Sequence, residues 1–363
     1  MQFADIFLRI AEHGLARQDQ ATGAMPPGHN GPYQDPETPV RNTAHWIQTY
    51  LAANRMTGDA KFLEAARACA DYLVGPAVPR GGVVYRHRTK EGKDSCNGLI
   101  GPAWTIEGLC AAHDSLGDRR YLEAADQYFL VHPFSLSTKR WSRVEPDGKA
   151  LAEDMTFNHQ LWFCMAGALL GKSGMSEAAE MVDAFMGAID ENLSIESNGR
   201  IVHSIVTGRS SLKRRLKQSL MPEFRRSERL REVGYHAFNL YAFAALRTML
   251  PTQAFWSSES MKLACAYLGS REFVSLIEHS RFGFPYNPPG FEIPFINEVF
   301  HRPDESGLSD QQWLSRQLGR VLDPELAMLS QNNPDCETLT ARIYECARFS
   351  DRLFALRVES LER

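Results

Sequence analysis

The chain repeats itself at a fixed interval. Trp46, Trp104 and Trp162 stand 58 residues apart, each near the start of an apolar stretch. A second marker recurs in the same phase. Gly58-Asp-Ala-Lys-Phe-Leu-Glu-Ala-Ala66 returns as Gly117-Asp-Arg-Arg-Tyr-Leu-Glu-Ala-Ala125, and more weakly as Gly174-Met-Ser-Glu-Ala-Ala179. Self-similarity at a constant period marks a repeat architecture, in which each unit buries its apolar face against the next. Within each unit the pattern reads helix, tight glycine turn, helix, long loop. The phase is interrupted once, between Trp162 and Asn239, which are 77 residues apart, and it resumes over the 58 residues from Asn239 to Asn297. A basic segment at 208–231 is an insertion of about the excess length.

Apolar spacing predicts helices over about 2–17, 40–57, 59–74, 98–116, 118–131, 155–172 and 175–193. Another runs from Tyr235 to Leu250, one or two short ones reach His279, and further helices lie near 291–301, 309–322 and 336–357. Short β-like runs, Gly82 to His87 and Arg200 to Val206, fall in the long loops. Five inner helices are expected around Trp46, Trp104, Trp162, Asn239 and Asn297. The C-terminal helix is the sixth and pairs with the N-terminal helix to close the ring. The fold class is therefore all-α, an (α/α)6 toroid of about six helical hairpins, with 1–363 as one domain and 208–231 inserted in it. An inner helix touches neighbours on every side and should be apolar throughout. Trp162 to Leu170 and Phe238 to Leu246 meet that requirement, while Lys61, Glu64, Arg67 and Asp71 give an outer helix its polar stripe.

The seven cysteines are scattered and form no C-x-x-C pair, so they read as reduced core thiols of a cytoplasmic protein. The N-terminus lacks a basic segment followed by a clean apolar core and is not expected to be a signal peptide. No apolar run approaches the ~18 residues of a membrane span. There is no H-E-x-x-H, no ligand spacing among the histidines and no glycine-rich phosphate loop. No metal, no cofactor and no nucleic-acid partner are expected. The net charge of −4 selects no partner by itself.

Tight turns at one end of the hairpins put all the long loops at the other. The N-termini of the inner helices then converge on one mouth, where unpaired N–H groups favour an anionic ligand. Residues at those starts are the site candidates. Asp94, Asp154, His159, His236 and Glu292 are the candidates for chemistry. Arg41, His45, Trp46, Asn97, Trp104, Asn158, Trp162, Tyr235, Asn239 and Tyr286 are the candidates for substrate binding. Aromatic faces stack on the apolar face of a pyranose, while carboxylates, Asn and His bond its hydroxyls. Each residue also has a structural reading: Trp as packing, a lone His as a satisfied core residue, Asp94 and Asp154 as helix caps. The in-phase recurrence of Asn158-His159 and Tyr235-His236 favours a site.

The glycine-turn motif, with Asn97-Gly-Leu-Ile-Gly-Pro-Ala-Trp104, Thr156-Phe-Asn-His-Gln-Leu-Trp162 and Gly234-Tyr-His-Ala-Phe-Asn-Leu-Tyr-Ala-Phe243, resembles six-hairpin α/α-toroid carbohydrate-active enzymes. These include glycoside hydrolases, unsaturated glucuronyl hydrolases, sugar epimerases, and toroidal domains of polysaccharide lyases and glucuronyl C5-epimerases. The segments also look like those of proteins from surface-polysaccharide and protein-glycosylation gene clusters. The resemblance covers most of the chain and implies a glycan-processing enzyme, but carries no complete catalytic signature. Glycoside hydrolysis needs two carboxyls flanking the bond, and Asp94, Asp154 and Glu292 are the candidates. Lyase or C5-epimerase chemistry needs a base and a neutraliser beside a uronate, for which Asn158, His159, Tyr235, His236 and Asn239 are available. Hydrolysis of an acidic, uronate-containing glycan in polysaccharide assembly is the leading expectation. Lyase or epimerase chemistry and a non-catalytic glycan-binding scaffold are the alternatives.

Between Arg209 and Arg231 lie nine Lys or Arg against two Glu. Leu212, Leu216 and Leu220 recur every fourth residue, so Ser211 to Leu220 reads as an amphipathic helix with a cationic face. It is expected either to guide an acidic glycan or to contact an anionic membrane or a glycosyltransferase complex at the inner face of the membrane. The alternative is a solvated loop.

Overall fold

Glycine turns build the hairpins. In the computed structural model, which describes residues 1–79, 81–207, 221–301 and 308–359, helix α2 (Val40–Thr57) stops at Gly58 and α4 (Ile100–Leu116) stops at Gly117. Both glycines are left-handed, with φ of 71° and 70°, a conformation that costs glycine nothing. The next residue then caps the outer helix. Asp59 accepts from the Lys61 N–H at 3.0 Å to start α3 (Ala60–Val74), and Asp118 accepts from the Arg120 N–H at 3.0 Å to start α5 (Arg119–Leu130). The third copy keeps a left-handed Gly174 but has no capping Asp between α6 (Phe157–Lys172) and α7 (Ser176–Gly187).

Six inner elements close a ring. Helix α2 packs on α4, α4 on α6, α6 on α9 (Pro222–Met249), and α9 on α12 (Pro289–Phe300). A 3-10 segment, Arg342–Arg348, joins α12 back to α2. Outside them lie α1 (Phe3–Arg17), α3, α5, α7 with the short α8 (Ile189–Asn192), α10 (Glu259–Leu268), α11 (Arg271–Ile277) and α13 (Asp310–Val321). Burial follows position. Helix α6 buries nearly every residue from Phe157 to Leu170, whereas α5 buries only Tyr121, Leu122, Ala125, Tyr128 and Phe129, one face at helical spacing. The fold is the all-α toroid that the repeat predicts, and no helix among the described residues is long and apolar enough to cross a membrane.

Four details differ from the sequence reading. Helix α9 begins at Pro222, well before Tyr235, because Pro occupies a favoured first helical position. The expected helix at 336–357 is broken into α14 (Cys336–Ala341), the 3-10 segment and α15 (Asp351–Phe354). A 3-10 turn has ~3 residues, so Arg342, Glu345 and Arg348 share the face that meets the ring axis. The runs at 82–87 and 200–206 form only isolated bridges in or beside them, Glu37 with Arg88, Ile195 with Ile201 and Thr156 with Ser204. The strands lie instead in the loop after α5: β1 (Phe134–Ser135), β2 (Arg140–Val144) and β3 (Ala150–Glu153) make an antiparallel meander. Gln160 clamps this meander to α6, accepting from the Trp141 N–H at 3.0 Å and donating to the Trp141 and Asp154 carbonyls. The proposed amphipathic stretch Ser211 to Leu220 lies outside the described residues.

Inner helices approach closely where glycine allows it. A Cβ on Gly108 of α4 would stand 2.7 Å from the Ala44 carbonyl oxygen of α2. Gly108→Ala is therefore expected to cost about 1–3 kcal/mol, because backbone cannot move aside as a flexible side chain can. Gly187→Ala, at the open end of α7 with nothing within 4 Å, is expected to change stability by less than about 1 kcal/mol. Urea denaturation of the two variants checks the contrast.

Candidate active site

The long-loop end of the ring holds a cavity of ≈ 240 Å³, just below the ~300–1,000 Å³ usual for ligand pockets. The starts of α4 and α6 supply Asn97, Trp104, Asn158 and His159, and α9 supplies Arg231, Tyr235 and Phe238. Loops supply Asn30, Tyr33, Arg88, Lys93, His203, Tyr286 and Asn287. Six of the sequence candidates are thereby brought together: Asn97, Trp104, Asn158, His159, Tyr235 and Tyr286. No carboxylate is among the described lining residues.

His159 and Asp154 form the centre of the wall. The His159 Nδ1 lies 2.7 Å from Asp154 Oδ2, so Nδ1–H donates to the carboxylate and Nε2 is the nitrogen left for the cavity. Asp154 also accepts from the Leu99 N–H at 3.0 Å, which precedes α4, and from the Thr156 N–H at 3.0 Å, which precedes α6. Burial pushes the Asp154 carboxyl up, but His159 beside it and these N–H donors outweigh that and hold it well below the usual carboxylate range. The backbone between Asn97 and Leu99 makes room for the pair. Gly98 has φ +63°, and a Cβ there would lie 2.3 Å from His159 Nδ1 and 2.6 Å from Asp154 Oδ2.

Opposite charges back the wall elsewhere. Asp94 accepts from Arg88 and Arg143, each at 2.9 Å, and from the Gly98 N–H at 2.8 Å. Burial raises its pKa, while Arg88, the Gly98 N–H and Arg143 lower it further, and the net shift is downward. Buried Asp35 accepts from Arg88 and Lys93. Three tyrosines line another side: Tyr33 and Tyr235 share a hydrogen bond of 2.9 Å, and Tyr286 donates to Asn30 at 2.6 Å. Burial, with Tyr286 nearby, pushes the Tyr33 hydroxyl up to about 12, so it stays protonated. His203 packs its ring 4.7 Å from that of Tyr235, and burial with Arg231 and His159 nearby pushes it down to about 3.

The remaining candidates sit elsewhere. Asp94 and Asp154 stand one layer behind the lining. Glu292 is buried under the floor with Arg342, 3.1 Å away. Burial and Glu345 raise its pKa against the pull of Arg342. Arg41 is buried 4.1 Å over the Trp104 ring and pairs with Glu37. His45 stacks on Tyr344 at 4.1 Å. Trp46 faces outward against Gly14 of α1, and Trp162 stacks on Phe238 of α9. Asn239 is buried within α9. His236 is turned away from the cavity: it accepts from the Ile201 N–H at 3.3 Å and donates to the Ala264 carbonyl at 2.9 Å. One residue along a helix is a ~100° rotation, so Tyr235 and His236 face different surroundings. Tyr33, Lys93 and His203 escaped the sequence reading because they come from loops without a period, and Arg88 because it does not stand at an inner start as the repeat defines it; Arg231 was counted only as the last cation of the basic segment.

Comparison with solved structures shows which fold class this ring belongs to. It superposes on D-mannose isomerase with a TM-score of 0.65 over 95% of both chains at 11% identity. It superposes on the cellobiose 2-epimerase of Spirochaeta thermophila with a TM-score of 0.63, over 95% of this chain and 93% of that one, at 12% identity. A sugar epimerase from a ruminal bacterium gives 0.64 over 95% and 98% at 11% identity. At these identities the likeness is one of fold, the (α/α)6 toroid. No family model matches the chain. Its sequence is 38% identical over 365 residues to archaeal glycosylation protein Q of Haloferax volcanii, covering 96% of this chain and 97% of that protein. The chain belongs to the family of archaeal glycosylation protein Q.

Because Asp154 ties two helix starts to His159, Asp154→Asn is expected to cost about 2–3 kcal/mol at pH 7, the range for a buried charge-assisted hydrogen bond. The folded-state pKa lies below the unfolded value of ~3.9. The contribution is therefore complete above that value and is lost as pH falls through the folded one. Denaturation from pH 7 down to pH 2 should show the two proteins converging at the acid end; a constant difference contradicts the assignment.

Proposed function

We propose that the protein is a glycan-processing enzyme of a glycosylation route, and that it epimerises or isomerises a sugar unit by histidine-mediated proton transfer. The observation that carries this reading is the His159–Asp154 pair, which leaves Nε2 at a cavity whose described lining has no carboxylate. The kinship with archaeal glycosylation protein Q supports the route, and the toroid shared with sugar epimerases and an isomerase supports the reaction class.

The chemistry follows from the groups present. A C–H bond next to a carbonyl is acidic enough for a positioned base to take its proton. Asp154 orients His159 and compensates the charge that develops when Nε2 accepts a proton. The proton that Nε2 takes up is given back by the same imidazolium, to the neighbouring carbon in an isomerisation; in an epimerisation the proton on the opposite face comes from a hydroxyl or water held beside His203, which stays neutral at physiological pH. One O–H of the Tyr33–Tyr235 pair is used in the hydrogen bond between them, and the other is a donor for the enolate oxygen. Hydrolysis by two carboxyls is less well supported. It needs them facing across the bond, ~5–10 Å apart, whereas Asp94, Asp154 and Glu292 are held by Arg88 and Arg143, by His159, and by Arg342.

Incubation with neutral and acidic sugars, free and as oligosaccharides, read by NMR and mass, tests the reading. New stereoisomer or aldose–ketose signals at unchanged mass are expected. His159→Gln is expected to lower that rate by about 10²–10⁴-fold, the usual worth of a general base, with the circular dichroism spectrum unchanged. Release of a new reducing end would replace the reading with hydrolysis, and a new unsaturated absorbance would replace it with elimination.

A further inference from the structure

Helix α9 is longer than the ring needs. The other inner helices are buried from their first residues, α2 from Val40, α4 from Ile100 and α6 from Phe157. Helix α9 starts at Pro222, yet none of its residues before Glu232 is buried, and every one from Glu232 to Leu246 is. At ~1.5 Å per residue, the residues from Pro222 to Arg231 carry the helix about 15 Å beyond its packed part. Inner helices begin at the long-loop end, so this extension stands on the mouth side of the ring. Arg231, its last residue, lines the cavity there.

The extension has a cationic face. It carries four arginines against Glu223 and Glu228. Pro222, Arg225, Arg226, Arg229 and Leu230 follow the i, i+3, i+4, i+7, i+8 spacing of one helix face. With Leu276 and His279, from the end of α11 and the loop after it, they line a surface cavity of ≈ 510 Å³. Arg229 is partly neutralised by Glu272 at 2.9 Å, which Arg200 also approaches at 3.7 Å. Arg225 and Arg226 are exposed and have no acidic partner among the described residues. Met221, directly before the helix, is 51% exposed. Apolar and cationic groups thus stand side by side. The sequence just before it adds five Lys or Arg and no acid between 209 and 217.

A soluble anion would use only the charge of this face and leave its apolar part in water. The surface of an anionic bilayer uses both. Its phosphates accept from guanidinium groups, and apolar side chains reach the acyl boundary beside them. We propose that this face docks the protein on an anionic bilayer, with Arg225 and Arg226 on lipid phosphates and Met221 among the headgroups. Docking by the extension sets the mouth of the ring beside the bilayer. The proposal does not depend on the reaction assigned to the cavity.

Co-sedimentation of the full-length protein with vesicles tests it, using phosphatidylcholine alone and a two-to-one mixture of phosphatidylcholine and phosphatidylglycerol. Binding to the mixed vesicles and not to the neutral ones is expected, weakening as salt is raised. A basic residue at an anionic surface contributes about fivefold. Arg225→Gln/Arg226→Gln should therefore lower the affinity about tenfold or more, with the circular dichroism spectrum unchanged. Arg119→Gln/Arg120→Gln, the same change of charge at the tight-turn end of α5, should lower it about twofold or less, because distant charges are screened. Equal binding to both vesicle types, or binding to neither, would overturn the proposal. Equal weakening by the two double variants would also overturn it, by making the attraction one of net charge. Retention of dextran sulfate without vesicle binding, lost in Arg225→Gln/Arg226→Gln, would assign the face to a soluble polyanion instead. Tight calorimetric binding of inorganic phosphate, lost in the same variant and without vesicle binding, would assign it to a free phosphate.

Discussion

The carboxylate of Asp154 is the joint on which the site depends. Its two oxygens take N–H groups from just before α4 and just before α6, and also the imidazole of His159. One buried charge therefore sets the spacing of two neighbouring inner helices and the tautomer of the histidine between them. Gln160 fastens the same loop to the β-meander through the Asp154 carbonyl. The left-handed Asn97-Gly98 pair lets the α4 start come near enough to be gripped. A side chain at Gly98 would occupy the space of the His159–Asp154 bond itself.

Beneath that joint the ring axis is polar, against the usual rule for a core. Arg41 pairs with Glu37, Arg342 with Glu292 and Glu345, and Arg348 with Glu107. Such pairs seldom add net stability, but removing one partner leaves an uncompensated charge and is costly. Here the arginines also do local work. Arg41 and Arg342 fix asparagine amides in the cavity floor and lie over the rings of Trp104 and Phe238. The axis thus supports the floor of the cavity with groups that cannot rotate freely. The 3-10 winding at 342–348 is what aligns the C-terminal arginines with it, and a regular α-helix there would have turned Arg348 away from Glu107.

The hairpins were legible because glycine turns and aspartate caps are local chemistry. Gly58-Asp59 and Gly117-Asp118 behave alike in three dimensions. The tryptophans behave differently although they share the same period. Trp46 is the seventh residue of α2, Trp104 the fifth of α4 and Trp162 the sixth of α6. Each offset of one residue rotates a side chain by ~100°, so one faces outward, one faces the cavity and one stacks sideways on α9. A 58-residue interval fixes which helix a residue is on, not which way it points. The carboxylates show the same limit: spacing put Asp94 and Asp154 at the mouth, but whether they line it depends on Arg88 and Arg143, which grip Asp94, and on His159, which grips Asp154. Tyr33, Lys93 and His203 had no periodic signal at all.

The central claim is that His159 moves a proton on and off a sugar carbon. The most direct measurement is turnover in D₂O, with the recovered sugar read by proton and carbon NMR. The account predicts deuterium at the single carbon next to the carbonyl, in product and progressively in recovered substrate, and none when His159 is Gln. Conversion with that carbon's hydrogen fully retained would contradict it, because the hydrogen would then have moved without ever residing on a histidine that exchanges with water.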